Sequence, residues 1–383
     1  MKLLIFILFV TVSQLSFAQE LRIGLLYSLK VKRVSINLHQ GNYSVIGDST
    51  DLGKLSSMIV DITGGNVKVS FNGTYKTFEK IIVIQDTVNS ALNVKALSPT
   101  SKQHYYRDNL EISSDGSRLR VVNLVDMDNY LSGVVESEGG GGRHIEYYKV
   151  QALMSRTYAL KNEYRHKKDG FQLCDGVHCQ AYHNMLRHTP KIMNAVKATV
   201  GKVLVDQSNY LVASYFSANC GGQICDAAHV WNTSVSYVET FIDTFCIYTP
   251  QATWTKSIDK SKWESFLKTN YGVTEEKYGD KIYNFKQQQR SAFYIHPSLG
   301  VPMRDLRVKF YLKSTYFDTY LEGTQVVLNG RGFGHGVGLC QEGAMNMAKF
   351  GYDYTQIARF YFYNVDIIDS NQNNFFDQGV SLE

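Results

Sequence analysis

Proline is scarce in this chain, with 5 in 383 residues, which argues against proline-rich linkers. Cysteine is absent before residue 174. No stretch reaches 18 apolar residues, so none reads as a membrane-spanning helix. There is no internal repeat and no low-complexity tract. Hydrophobic residues make up 44% and charged residues 20%, which excludes a disordered, collagen-like or coiled-coil chain. The net charge of +5 is too small and too dispersed for a nucleic-acid partner. It suits an anionic polymer such as a glycan or a cell wall. Aromatic residues are plentiful at 13%, and the length allows two or three domains.

The first residues read as an export signal. Met1-Lys2 is a short positive start, Leu3 to Val12 is apolar, and Ser16-Phe17-Ala18 is a small-x-small cleavage site. Cleavage after Ala18 removes Lys2 and leaves a mature charge of +4. Without a cysteine near the site, a lipoprotein is not indicated. The expected location is the periplasm or cell-wall space of a bacterium. All six cysteines (174, 179, 220, 225, 246 and 340) then meet an oxidising compartment, where disulfides form.

Residues 21–125 look β-rich. Leu21–Leu26, Val67–Phe71 and Ile81–Ile84 are short apolar or alternating runs, separated by turn residues such as Gly64-Gly65 and Asn72-Gly73. Asp115-Gly116 predicts a hairpin between 110–112 and 119–122. The character changes near residue 126. Helices are predicted over 146–163, 341–350 and 355–363, the second closed by Gly351. A strand at 326–328 leads into a glycine loop. The pattern predicts an α+β fold.

Four segments carry chemistry. Glu136 and Glu138 precede four glycines; in an extended segment they would share one side and raise each other's pKa. On these residues alone the signal is weak, and two solvated glutamates at a helix entry are the plainer reading. Asn329 to Ala344 alternates glycines but fits no phosphate-loop spacing, and offers His335 and Gln341. His166, Cys174, His178 and Cys179 have the composition of a tetrahedral zinc site. A Cys174–Cys179 disulfide is the competing reading, but it leaves both histidines unexplained. Tyr215 to Gly222 presents Ser217 outside any nucleophile elbow; a turn pinned by a Cys220–Cys246 disulfide also fits.

Together these segments resemble the SpoIID/LytB family, the stage II sporulation protein D lytic transglycosylases and their amidase-enhancer relatives. Asp126 to Glu138 is similar to the family's YLxGVVxxE stretch, and Lys149 to Ala159 to its KxQAxxxRTYA helix. Gln180 to Tyr182 and Ser217 to Gly222 match QxY and SxxxGG, and Gly330 to Ala344 matches GRGFGHGVGxxQxGA. Two departures stand out: Gly139-Gly140 where relatives often carry Met-Pro, and Cys340 where they have Ser. With the export signal over 1–18 and the β-rich region over 19–105, the resemblance implies a mixed α+β SpoIID-type catalytic domain over 106–370, followed by a tail over 371–383.

It also implies an enzyme that cleaves the β-1,4 bond between N-acetylmuramic acid and N-acetylglucosamine, leaving a 1,6-anhydro sugar. Glu138 falls on the catalytic position. Gln151, Arg156, Gln180, Tyr182, Ser217, His335 and Gln341 are expected to line the groove, with Arg156 and His335 steadying developing charge. His166, Cys174, His178 and Cys179 resemble the zinc set of some members. The expected partners are peptidoglycan glycan strands and a cell-wall amidase. A non-enzymatic enhancer of such an amidase is the alternative. A zinc hydrolase fits less well, because four protein ligands leave no position for water.

Overall fold

The computed structural model describes residues 20–183 and 190–370. The expected signal peptide and tail lie outside them. Two antiparallel-rich sheets form the first layer. The larger runs in the order Leu173–Cys174, Glu20–Leu25, Leu119–Asp126, Asn109–Ser114, Lys80–Gln85, Tyr43–Gly47 and Thr50–Lys54. The smaller runs His104–Arg107, Ala91–Ser98, Arg33–Gln40, Ser57–Thr63, Asn66–Phe71 and Thr74–Phe78. Alternating apolar residues of both sheets, such as Val34, Val60 and Val69 with Val45, Val83 and Ile112, enter one continuous core. The Asn72-Gly73 turn has positive φ at both residues, as a tight hairpin requires. The 109–114 and 119–126 strands form the hairpin predicted around Asp115. They pair with strands from the first hundred residues, so this β layer continues to residue 126.

A strand then passes straight into helix. Asp126 ends Leu119–Asp126 and caps α1 (Met127–Gly139), its side chain accepting from the amides of Asp128 and Asn129. The pair Glu136 and Glu138 is therefore helical and not extended. Residues two apart on a helix point about 200° apart, so the two carboxylates do not share a side. The second helix, α2 (Ile145–Lys161), is buried on nearly every face. A helix enclosed all round belongs in the middle of a fold, and α2 packs against α1, α3 (Pro190–Ala198) and the helices Gln341–Lys349 and Tyr354–Tyr361. All three predicted helices are present within two residues of their expected bounds.

Residues 253–331 build a second, smaller core. The strands Thr253–Asp259, Gln325–Arg331 and Phe317–Glu322 form a three-stranded sheet, and the helix Lys260–Tyr271 covers it. Trp254, Trp263, Leu267, Leu306 and Phe317 fill its interior. The two ends of this insert meet: the Gly332 amide donates to the Ala252 carbonyl at 2.8 Å. No helix among the described residues is long and apolar enough to cross a membrane.

Candidate active site

Glu138 lies one residue before the end of α1. The helix leaves unpaired carbonyls there, and their dipoles oppose a negative charge. Burial raises the Glu138 carboxyl above its usual pKa, and this outweighs the one group that lowers it, the Ala181 amide. That amide donates to Oε1 at 2.9 Å. A proton on the carboxyl group therefore rests on Oε2. Glu138 is thus a carboxylic acid made harder to ionise, which is what a general acid near neutral pH needs.

The surroundings of Glu138 come from three segments. Beyond it, Gly140, Gly141 and Gly142 have open space where a side chain would stand. Arg143 follows, and its Nε donates to the Gly139 carbonyl at 3.4 Å, placing a cation at the end of α1. Tyr147 is fully buried and feels the Glu138 charge. Across from α1, the His183 amide donates to Ser137 Oγ at 3.1 Å. Tyr147, Arg143 and the Ala181 amide were missed in the sequence. A backbone amide carries no residue signal, but Arg143 follows the glycine run directly and was visible.

Gln180 and Tyr182 flank Ala181 and are buried, not groove-lining. Gln180 donates to the Ser155 carbonyl at 3.2 Å and faces the Tyr130 hydroxyl at 3.4 Å. The Tyr182 hydroxyl donates to Asn123 Oδ1 at 2.9 Å, and its ring packs on Tyr106 and Tyr130. These anchors aim the Ala181 amide at Glu138. Gln341 and Gln151 are also buried: the Gln341 side chain donates to Gln151 Oε1 at 3.2 Å, which also accepts from the Tyr147 hydroxyl at 3.4 Å. The glycine loop thus reaches the Glu138 wall through Gln341, Gln151 and Tyr147.

Arg156 sits elsewhere. Its guanidinium is buried and donates to the carbonyls of Thr199, Lys202 and Val196, at 2.5, 3.4 and 3.4 Å. It also meets Asp128 at 3.5 Å. Asp128 and Glu138 are ten residues apart on α1, about 15 Å along the axis. Arg156 therefore ties the far end of α1 to the end of α3.

His335 is held by its own loop. Nδ1 accepts from the Val337 amide at 3.0 Å, and the ring also bonds the Phe216 backbone. Burial, with Arg307 and Arg290 nearby, pushes its pKa down to about 4. It is neutral at pH 7 and packs at 5.1 Å on Trp231. Ser217 Oγ accepts from the Gly336 amide at 3.2 Å. The glycines of this loop bring backbone against backbone. At Gly338, with φ +68°, a Cβ would strike the Tyr215 carbonyl.

The four expected metal ligands converge. The ligand atoms of His166, Cys174, His178 and Cys179 lie within 4.8 Å of one another. Both thiols are free, and each stands 3.8 Å from His178 Nδ1. His166 Nδ1 bonds Asp169 at 2.9 Å, while its buried Nε2 has no partner. A carboxylate on one ring nitrogen and a vacant lone pair on the other is the usual setting of a metal-bound histidine. The donor set fits zinc, and Cys179 directly precedes Gln180 and Ala181.

The stage II sporulation protein family model matches residues 115–205, from the 109–126 hairpin through α1, α2, the four-ligand cluster and α3. Over those residues the chain resembles the stage II sporulation protein family. It is 25% identical to stage II sporulation protein D of Bacillus amyloliquefaciens, over 74% of this chain and 85% of that one. It is 26% identical to stage II sporulation protein D of Bacillus subtilis, over 65% and 76%. An amidase enhancer of Bacillus subtilis is 27% identical over 61% of this chain, but that match spans 39% of the enhancer.

Proposed function

We propose that this protein is an exported peptidoglycan lytic transglycosylase. The observation that carries the reading is Glu138: a desolvated carboxyl group at the negative end of α1, one oxygen held by the Ala181 amide, with the open glycine run 140–142 following it in the chain. In the first step, protonated Glu138 gives its Oε2 proton to the oxygen linking muramic acid to glucosamine, and the C1–O bond breaks. The resulting carboxylate accepts the proton of the muramoyl 6-hydroxyl, whose oxygen bonds to C1. The product carries a 1,6-anhydro ring and no water is consumed. One carboxylate serves both steps, unlike the two of ordinary glycosidases. Arg143 and the Ala181 amide are the groups placed to steady the carboxylate between steps.

Zinc held by His166, Cys174, His178 and Cys179 would be structural in this reading, with no position left for a catalytic water. It would fix the segment that presents Ala181. The test is digestion of purified glycan strands, with and without stem peptides. Anhydro ends released by wild type, and lost in Glu138→Gln, support the enzyme. The amidase-enhancer relative favours a second reading, in which the protein binds glycan and stimulates an N-acetylmuramoyl-L-alanine amidase. Faster stem-peptide release by added amidase, without anhydro ends, selects that reading.

A further inference from the structure

We propose that Cys220, Cys246, Cys340 and Asp243 form a second closed metal site, taking a thiophilic divalent ion of the zinc class. The four donor atoms lie within 4.8 Å of one another and all four residues are fully buried. Cys220 Sγ stands 3.3 Å from Cys246 Sγ and 3.3 Å from Asp243 Oδ2. A tetrahedral ion with bonds of about 2.3 Å to sulfur separates its donors by about 3.8 Å, so small side-chain shifts complete the site.

The shell around these donors is built for charge. The Cys220 amide donates to Cys340 Sγ at 3.3 Å. Cys340 is also the N-cap residue of the 341–349 helix. Asp243 accepts from the Phe245 amide at 2.9 Å and from the Tyr361 hydroxyl at 3.0 Å. Those partners and the Cys220 thiol are neutral, and a buried carboxylate needs a counter-charge that a dication supplies. At Gly343 a Cβ would strike the Tyr361 hydroxyl and stand 2.8 Å from Asp243 Oδ2. A Cys220–Cys246 disulfide would instead strand Cys340 and leave Asp243 uncompensated.

The ligands come from three places: Cys220 after the strand Phe216–Ser217, Cys340 at the end of its parallel partner Leu339–Cys340, and Asp243 with Cys246 from the segment between. An ion here staples these together and fixes Gln341, the residue after Cys340 that reaches Gln151. With four protein ligands it is structural. The inference stands apart from the transglycosylase reading and from the His166 cluster.

Native mass spectrometry and metal analysis of the full chain test it. About two zinc equivalents per chain are expected, with one kept by Cys174→Ser/Cys179→Ser. During chelator titration of wild type, alkylation of Cys220, Cys246 and Cys340 should begin only as one specific equivalent leaves. This measurement stands even if the variants fail to fold. Labelling of those three thiols while all bound zinc remains, no zinc in wild type, or a Cys220–Cys246 cross-linked peptide overturns the proposal.

Discussion

The Ala181 amide donates to Glu138 Oε1 at 2.9 Å across 43 residues of sequence. It joins the end of α1 to a segment anchored by Gln180, Tyr182 and the four-ligand cluster. The chemistry of one carboxylate therefore depends on how firmly a distant stretch of backbone is held.

Glu138→Gln keeps the shape and the Ala181 hydrogen bond but cannot carry a proton. Release of anhydro ends should fall by at least about 10²–10⁴-fold. Glu136→Gln, on another side of α1, should stay within a few-fold of wild type. The reverse pattern in a muropeptide assay would reject the assignment.

The same group sets two pH dependences. The Glu138 pKa is raised, so turnover should decline as pH rises through it and the acid form is lost. Folding follows the same sign. The native state holds the proton to higher pH than the unfolded chain, so stability falls as pH rises above the ordinary glutamate value. Glu138→Gln should therefore melt higher than wild type at pH 7, and the gap should close toward pH 4. Equal melting temperatures across that range would contradict the burial argument.

His335 acts in the opposite sense. Its folded pKa is lowered to about 4, so stability is fully present above 6.5 and is lost as pH falls toward 4. His335→Gln should flatten that limb in urea midpoints measured between pH 4 and 7. His335→Ala should lower the melting temperature while leaving low-temperature kinetics near normal, since both ring nitrogens serve the loop. A normal melting temperature with slow turnover would point instead to substrate contact.

Arg156→Met should cost about 1–3 kcal/mol in denaturant unfolding, because buried carbonyls of Thr199 and Val196 lose their donor. At permissive temperature kcat should change little. A large kcat loss at unchanged stability would bring Arg156 back to the groove.

Asp169→Asn replaces the carboxylate that orients His166. Zinc affinity at the His166 cluster should drop by about 10–100-fold, read by competition with a chromophoric chelator. Melting temperature without added zinc should fall with it.

The α+β class, the three helices, the 109–126 hairpin and the glycine loop were legible because each rests on local signals: alternation, helix formers and paired turn residues. The convergence of His166, Cys174, His178 and Cys179 followed from composition within 14 residues. The extended reading of Glu136 and Glu138 did not hold, because the Asp126 cap starts a helix that propensity across Ser132-Gly133-Val134-Val135 does not announce. Arg156, Gln180 and Tyr182 look like ligand-binding residues in one dimension. Only packing shows that they serve backbone groups and buried partners. Residues 250–300 look polar and mixed because the core of the 253–331 insert draws Trp254, Trp263 and Phe317 from positions far apart in the chain.

The Ala252–Gly332 pinch has a consequence for how this protein can change over generations. The insert leaves and rejoins the main body at one hydrogen-bonded point, and it carries its own core. Such an appendage can be lengthened, replaced or lost by a single recombination without rerouting the strands and helices that hold Glu138. Arg290 works against that freedom: from inside the insert it grips the carbonyls of Cys220 and Gln223. Any replacement must supply a new cation at that spot, or the turn beneath it loses its clamp.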